Sequence, residues 1–229
     1  MNLNEIFDKY KYMIVLDTET TGLNPKYDDI IDLGAILVKK ENGEIKIIDT
    51  INSLIKTNKK IPDNIVELTH ITNELLEKDG ENKLDVINKF VSFLNNDEKK
   101  IIATYNANFD LSFLRYFLKG YKFNNLDFLD IMTIYKDRAA YPIKLEVAVT
   151  HYNLDDKVKN SHRALDDTYA CFEVLKAMSN EKSDIDKYIN LFGYNKKYGI
   201  PKEQIKNVVY RAQDYLSEYY ENFPLYIKR

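Results

Sequence analysis

Ile14-Val15-Leu16-Asp17-Thr18-Glu19-Thr20-Thr21-Gly22 is the stretch on which the reading of this chain turns. The apolar run from Met13 to Leu16 predicts a buried strand, which stops at Asp17-Thr18-Glu19 ahead of a glycine-containing turn. Strand side chains alternate, so Asp17 and Glu19 share one face and Thr18 takes the other. Two acids on one face at the end of a buried strand repel each other and are costly to bury unless paired or metal-bound. Such a pair suits a hard cation.

Downstream, residues 30–38 predict a central strand and Gly43 a hairpin into a third strand at 44–51. Short helical pieces follow at 61–68 and 72–77, the second with Thr72 as its N-cap. Leu84, Ile87, Val91 and Leu94 recur at helical spacing, and a fourth strand at 101–104 leads to a helix carrying Leu111, Leu114, Phe117 and Leu118, which Gly120 ends. A short strand at 128–129, helices from about Ile131 and about Lys144, and a last core helix from about Arg163 to Met178 complete the order. Three hairpin-linked strands followed by crossover helices predict an α/β fold, a five-stranded mixed sheet with helices on both faces. At 181–184 the composition turns polar, dividing an expected core domain, 1–180, from a Tyr-rich extension, 181–229, packed on it. Ile205, Val208, Ala212, Tyr215, Leu216 and Tyr219 follow Pro201 at helical spacing, so the extension is expected to be mainly helical.

Composition narrows the function. The chain has 229 residues, 45% of them hydrophobic, ordinary for a globular protein. A single cysteine, Cys171, excludes an internal disulfide and a cysteine-rich zinc site. No signal-peptide pattern or membrane-length apolar run occurs, so a cytoplasmic location is expected. With a net charge of −3, attraction to nucleic acid needs a local basic lining or metal ions.

Two further stretches carry chemistry. Tyr105-Asn106-Ala107-Asn108-Phe109-Asp110 places an acid at a helix start beyond a parallel strand, where open α/β sheets hold their sites. Alone, Asp110 is better explained as an N-cap. Ser161-His162-Arg163-Ala164-Leu165-Asp166-Asp167 opens an amphipathic helix, and its acids alone suit a helix N-terminus.

Together, Asp17-Thr18-Glu19-Thr20-Thr21-Gly22, Asn106-Ala107-Asn108-Phe109-Asp110 and His162-Arg163-Ala164-Leu165-Asp166-Asp167 resemble, in order, the three motifs of the DEDDh (DnaQ-like) 3′-to-5′ exonucleases, the family typified by the proofreading epsilon subunit of bacterial DNA polymerase III. Ile61-Pro62, Leu68-Thr69, Asp130 and Lys144-Leu145 resemble secondary landmarks, so the likeness spans about residues 12 to 178. The resemblance implies a ribonuclease-H-like fold, two divalent ions, Mg2+ or Mn2+, and stepwise release of nucleoside 5′-monophosphates. It makes Asp17, Glu19, Asp110 and Asp167 the metal ligands and His162 the general base. Thr18, Thr20, Thr21, Gly22, Leu23, Asn106 and Phe109 become substrate-binding residues. Asp166 is then a neighbour, not a ligand.

The chemistry accounts for these residue types. In-line phosphodiester hydrolysis by two ions needs hard oxygen ligands, and carboxylates supply them while offsetting the charge. A histidine, with its ordinary pKa near 6.5, is then free to accept a proton near neutrality. The expected substrate is single-stranded DNA or a frayed 3′ end, in proofreading or repair. RNA 3′-end trimming or oligoribonuclease activity uses the same residues, and a polymerase-docked nucleic-acid-binding module is the non-enzymatic alternative.

Tyr105 stands where many members of that family have His, and His70 where many have Gly. Tyr194, Lys196, Lys197 and Tyr198 interleave aromatics with charge as single-strand platforms do, or else cover the core. Tyr188-Ile189-Asn190-Leu191-Phe192 faintly resembles peptides that dock on sliding clamps, without the leading Gln. A DNA polymerase or clamp is therefore a candidate partner.

Overall fold

A computed structural model of the chain describes residues 1–94, 98–121, 126–139, 141–159 and 161–213. Helix α1 (Leu3–Lys9) precedes strands β1 (Tyr12–Thr20), β2 (Ile30–Glu41) and β3 (Glu44–Leu54). Helices α2 (Asp63–Thr69), α3 (Asn73–Asp79) and α4 (Lys83–Leu94) lead to β4 (Lys100–Thr104), α5 (Ala107–Phe117) and β5 (Leu126–Asp130). Then come α6 (Ile131–Lys136), α7 (Leu145–His151), α8 (Ala164–Glu181) and strands β6 (Leu191–Tyr194) and β7 (Val209–Ala212). The five-stranded sheet has the order β3-β2-β1-β4-β5, with β1, β2 and β3 antiparallel and β4 and β5 parallel to β1. The predicted mixed sheet is therefore the one formed.

Alternation along β1 divides the core into two layers. Met13 and Val15 pack with α1, α6, α7 and α8, whereas Ile14 and Leu16 pack with α4 and α5. Continuing that period, Asp17 and Glu19 fall on the α8 side and Thr18 on the α5 side. The strand runs further than its apolar run, because pairing with β2 continues as far as Thr20 and Ile30.

Two elements differ from expectation. Helix α1 has no counterpart in the apolar periodicity, yet it begins with a capping box in which Glu5 N donates to Asn2 Oδ1 (3.1 Å) and Asn2 N to Glu5 Oε2 (2.9 Å). Apart from a 3-10 turn at Ile185–Tyr188, the described part of the extension is not helical. Its strands β6 and β7 pair in parallel, Leu191 with Val209 through Tyr194 with Ala212. Gly199 (φ 74°) and Asn207 (φ 64°) turn the chain between them, which interrupts any helix there. Tyr215, Leu216 and Tyr219 lie outside the described residues. Among the described residues no helix is long and apolar enough to cross a membrane.

Candidate active site

The acids converge at one end of the sheet because three elements deliver them there. Asp17 and Glu19 arrive on β1. Asp110 arrives from the opposite face, in the first turn of α5, and it does not cap that helix: the N-cap position is Asn106, in the left-handed conformation (φ 67°) with no side-chain cap bond. Instead Thr18 Oγ1 donates to Asp110 Oδ1 (2.8 Å) and Thr104 Oγ1 to Asp110 Oδ2 (2.9 Å). One hydroxyl from each of two adjacent strands thus orients both oxygens of a buried carboxylate. The α5 turn itself is held by Asp130 Oδ1, which accepts from Asn106 N (3.1 Å) and Ala107 N (3.2 Å).

The third element is α8, and β2 shapes its approach. Gly34 pairs with Asp17 across β1 and β2, and a Cβ added there would lie 2.3 Å from Ala164 C and O and from Leu165 N. Only a glycine lets the start of α8 rest directly on the sheet beside Asp17. Asp32 Oδ2 then accepts from Arg163 Nε (2.9 Å) and Ala164 N (3.3 Å), and Thr168 Oγ1 donates to Gly34 O (3.1 Å). His162 has φ 52°, and this left-handed kink precedes the helix. Ser161 N donates to Asp167 Oδ1 (3.2 Å), while Ser161 Oγ donates to Asp166 Oδ2 (2.6 Å). The two adjacent acids are thereby separated, Asp166 being engaged by serine and Asp167 turned inward and buried. One potential ligand atom from each of Glu19, His162 and Asp167 lies within 4.8 Å of the others.

Burial, with repulsion among the acids second, raises their pKa values. Burial, then the charges of Asp110 and Glu19, lifts Asp17 well above the carboxylate range. Burial and Asp167 push Glu19 up to about 8. Burial raises Asp167 to about 7, and raises Asp110 to about 7 against the hydrogen bonds from Thr18 and Thr104 that pull it down. Arg163 offsets Glu19 only in part and is itself engaged by Asp32. An all-oxygen set of mutually repelling carboxyls needs positive charge, and it matches the donor preference of divalent hard cations. The residues present fit such ions.

The expected substrate residues divide into two groups. Leu23 is 84% exposed, Phe109 is half-buried against Phe113 (centroids 4.9 Å apart), and Asn106 is exposed at the α5 turn. These three keep side-chain surface open to solvent. Thr20 Oγ1 instead donates to Gly22 O (2.6 Å), and Thr21 Oγ1 accepts from Asp29 N (3.0 Å), so both hydroxyls shape the loop. A Cβ added at Gly22 would fall 2.5 Å from Asp28 Oδ2, so a side chain there would displace the Asp28 carboxylate, which accepts from Asn24 N (2.8 Å). Thr18, expected at the substrate, turns its hydroxyl to the far face and serves Asp110. Tyr105 is buried and donates to Ile143 O (2.6 Å), which ties the α5 turn to the segment entering α7.

Asp32, Gly34 and Thr104 lie outside the motifs, and Arg163, inside the third, was given no role. A glycine inside an apolar strand was the available signal for close backbone approach at Gly34. Neither His70, exposed and left-handed at the end of α2, nor His151, stacked on Tyr152 (4.8 Å), joins the site. The clamp-like peptide is part of the core, with Phe192 1% and Tyr188 7% exposed, so its anchoring side chains are not free to dock.

Residues 14–175 match the RNase_T family, described as exonuclease. A PolC-type DNA polymerase III of Thermotoga petrophila is 37% identical over 169 residues, covering 71% of this chain and 11% of that protein. The corresponding protein of Clostridium perfringens is 33% identical over 195 residues, covering 81% of this chain and 12% of its own length. The chain thus spans about an eighth of these relatives. Among solved structures, E. coli exonuclease I in complex with a dT13 oligonucleotide superposes with a TM-score of 0.67 at 18% identity, covering 78% of this chain and 43% of that one. The nuclease domain of 3′hExo, a DEDDh family member bound to rAMP, gives 0.62 at 20% identity over 77% of this chain and 95% of that one. At those identities the likeness is one of fold.

Proposed function

The chain belongs to the RNase_T exonuclease family, and from that premise we propose that it shortens single-stranded or frayed DNA from the 3′ end, releasing nucleoside 5′-monophosphates. The observation that carries this reading is the meeting of Glu19, Asp167 and His162 within 4.8 Å beside the raised carboxyls of Asp17 and Asp110. Asp17, Glu19, Asp110 and Asp167 would hold two divalent ions, Mg2+ or Mn2+. Bound there, the ions supply Lewis-acid activation of water and charge stabilisation at the scissile phosphate.

The chain's own residues do the rest. His162, on its kinked segment beside Glu19, accepts a proton at an imidazole nitrogen from the attacking water. The water oxygen bonds to phosphorus as the bond to the 3′ oxygen breaks, and the leaving oxygen departs as a hydroxyl with a proton from solvent. Leu23 and Phe109 contact the terminal nucleotide, and Asn106 borders its phosphate. Thr18 and Thr104 hold Asp110 in one orientation throughout. Being neutral, they do so without adding charge to the site.

The likeness to PolC-type polymerases supports a role in replication, as proofreading or repair beside a polymerase. The test is a time course on matched 5′-labelled single-stranded DNA and RNA in Mg2+, Mn2+ or EDTA, beside His162→Ala and Asp167→Ala. The expected result is a metal-dependent ladder shortening from the 3′ end, faster on DNA and slowed at least about a hundredfold in His162→Ala. Absence of cleavage of either polymer by folded, metal-supplemented protein overturns the reading, and faster RNA cleavage moves the substrate class.

A further inference from the structure

We propose that residues 194–206 form a wall along which a single-stranded nucleic acid lies as it leaves the catalytic pocket, a proposal that rests on the exonuclease reading above. The extension is fastened to the loop after β1 and to α5, the two elements that carry Leu23 and Asp110. Glu203 pairs with Lys26 (2.8 Å), in the loop that follows Gly22 and Leu23. The same carboxylate pairs with Arg115 and accepts from Tyr116 Oη (3.3 Å), both on α5, and Arg115 also donates to Gln204 O (3.3 Å). Further along, Tyr210 Oη donates to Asn108 Oδ1 (2.6 Å) and accepts from Ile205 N (2.9 Å). Asn108 stands beside Phe109, two residues from Asp110. The segment therefore runs from the loop after β1 and the last turn of α5, where Glu203 is held, towards the start of α5, where Tyr210 links Ile205 to Asn108.

Its charge and exposed aromatics suit a polyanion with unpaired bases. Residues 195–206 contain four lysines, Lys196, Lys197, Lys202 and Lys206, and one acid, Glu203, in a chain whose net charge is −3. Lys197, Lys202 and Lys206 are exposed, and Glu203 is already engaged by Lys26 and Arg115. The segment thus presents surplus positive charge beside an acidic pocket. Tyr198 is 75% exposed with Lys197 Nζ 5.4 Å from its ring centroid, and Tyr27, on the loop that Lys26 anchors, is 73% exposed. A tyrosine that covered the core would be buried, as Phe192 is at 1%.

The wall is also preorganised. Asn195 O accepts from Tyr198 N (3.0 Å) and Gly199 N (3.1 Å), and Asn195 Oδ1 accepts from Lys197 N (2.8 Å), while the pairing of β6 with β7 closes the segment at its base. Lysines meet phosphates and an open tyrosine face stacks on a base, a combination that favours single strands because paired bases do not offer that face.

The test compares the wild-type full chain with Lys197→Glu/Tyr198→Ala/Lys202→Glu. Binding of a dye-labelled single strand of about 20 nucleotides, longer than the ~4–16 that one such groove covers, is followed by fluorescence anisotropy in EDTA. The dissociation constant should rise about tenfold or more, and the slope of log affinity against log salt should fall by about 0.7 per lysine removed. With Mg2+, KM should rise for the long strand and stay within about twofold for a trinucleotide, which fills the pocket without reaching the wall. Unchanged affinity and salt slope overturn the proposal, as does a loss of equal size on both lengths. Trinucleotide turnover by wild type tests the exonuclease reading separately, since the anisotropy measurement needs no catalysis.

Discussion

At the residue scale, a few uncharged groups govern how the acids behave. Burial pushes Asp110 up to about 7, and hydrogen bonds, those from Thr18 and Thr104 foremost, keep it from rising further. Thr18→Val and Thr104→Val each remove a bond to a carboxylate, an interaction of about 1.5–3 kcal/mol. The freed carboxyl titrates higher, so the ionised form is reached at higher pH. Each variant should move the acidic limb of the pH–rate profile upward and lower kcat/KM roughly tenfold at neutral pH. Profiles that superimpose on wild type would show that Asp110 is oriented by something else. The proposed reactive groups Asp17, Glu19, Asp110, His162 and Asp167 could be picked out in the sequence because each falls in a motif whose chemistry requires an acid or a base, and the fold brings Glu19, His162 and Asp167 within 4.8 Å of one another. Thr104 and Asp32 were not, since a threonine ending a strand and an acid within one carry no such mark. Their roles exist only after β1, β2 and β4 lie side by side.

At the element scale, the placement of α8 depends on the absence of one side chain. Gly34→Ala would put a methyl group 2.3 Å from the backbone of Ala164 and Leu165, so the helix start must lift from β2 and carry His162 and Asp167 with it. Overpacking of this kind costs about 1–3 kcal/mol. The expected signature is a modest fall in Tm with a much larger loss of kcat, because the displaced groups are the proposed base and a proposed metal ligand. A variant with near-normal kcat would mean that the helix start yields without moving the site. The extension is bound into the fold in a comparable way. Phe192 is 1% exposed in the α4–α5 layer, and Asn190 bridges to β5 through Phe128 and Asp127. Phe192→Ala should therefore destabilise the protein by about 3–5 kcal/mol, measured by denaturant unfolding, whereas a change under about 1 kcal/mol would mark the extension as loosely attached. Periodicity disclosed the sheet and its crossover helices, since long apolar runs have few alternatives. It misassigned residues 205–212 because Ile205, Val208 and Ala212 match a helical stripe, while Gly199 and Asn207 and the pairing offered by β6 decide for a strand. Tertiary pairing overrode a local pattern.

For the whole molecule, the site is a store of unfavourable charge that a divalent cation relieves, and this makes stability depend on pH in a direction opposite to ordinary acid denaturation. The carboxyls of Asp110, Asp167 and Glu19 stand at about 7, 7 and 8 in the fold, above their ordinary values of 3.8 for Asp and 4.5 for Glu, and Asp17 is raised further still. The fold therefore binds more protons than the unfolded chain. The stability these protons confer is fully present below the ordinary values and is lost as pH rises through about 7 and 8. Carboxyls lowered by pairing, such as Asp29 with Lys59 and Asp127 with Tyr10 and Lys99, act in the other sense, but their effect is complete by about pH 5. In EDTA, Tm should accordingly fall between about pH 5 and about pH 8. A divalent cation takes the ionised form and releases protons on binding, so the gain in Tm on adding Mg2+ should be larger at the upper pH than at the lower. Asp17→Asn removes one of the repelling charges and should raise the metal-free Tm at the upper pH while shrinking the Mg2+ gain. If Tm in EDTA instead rises across this range, and Asp17→Asn leaves both it and the Mg2+ response unchanged, the acids are not held as a mutually repelling set, and the cation cannot be what completes the site.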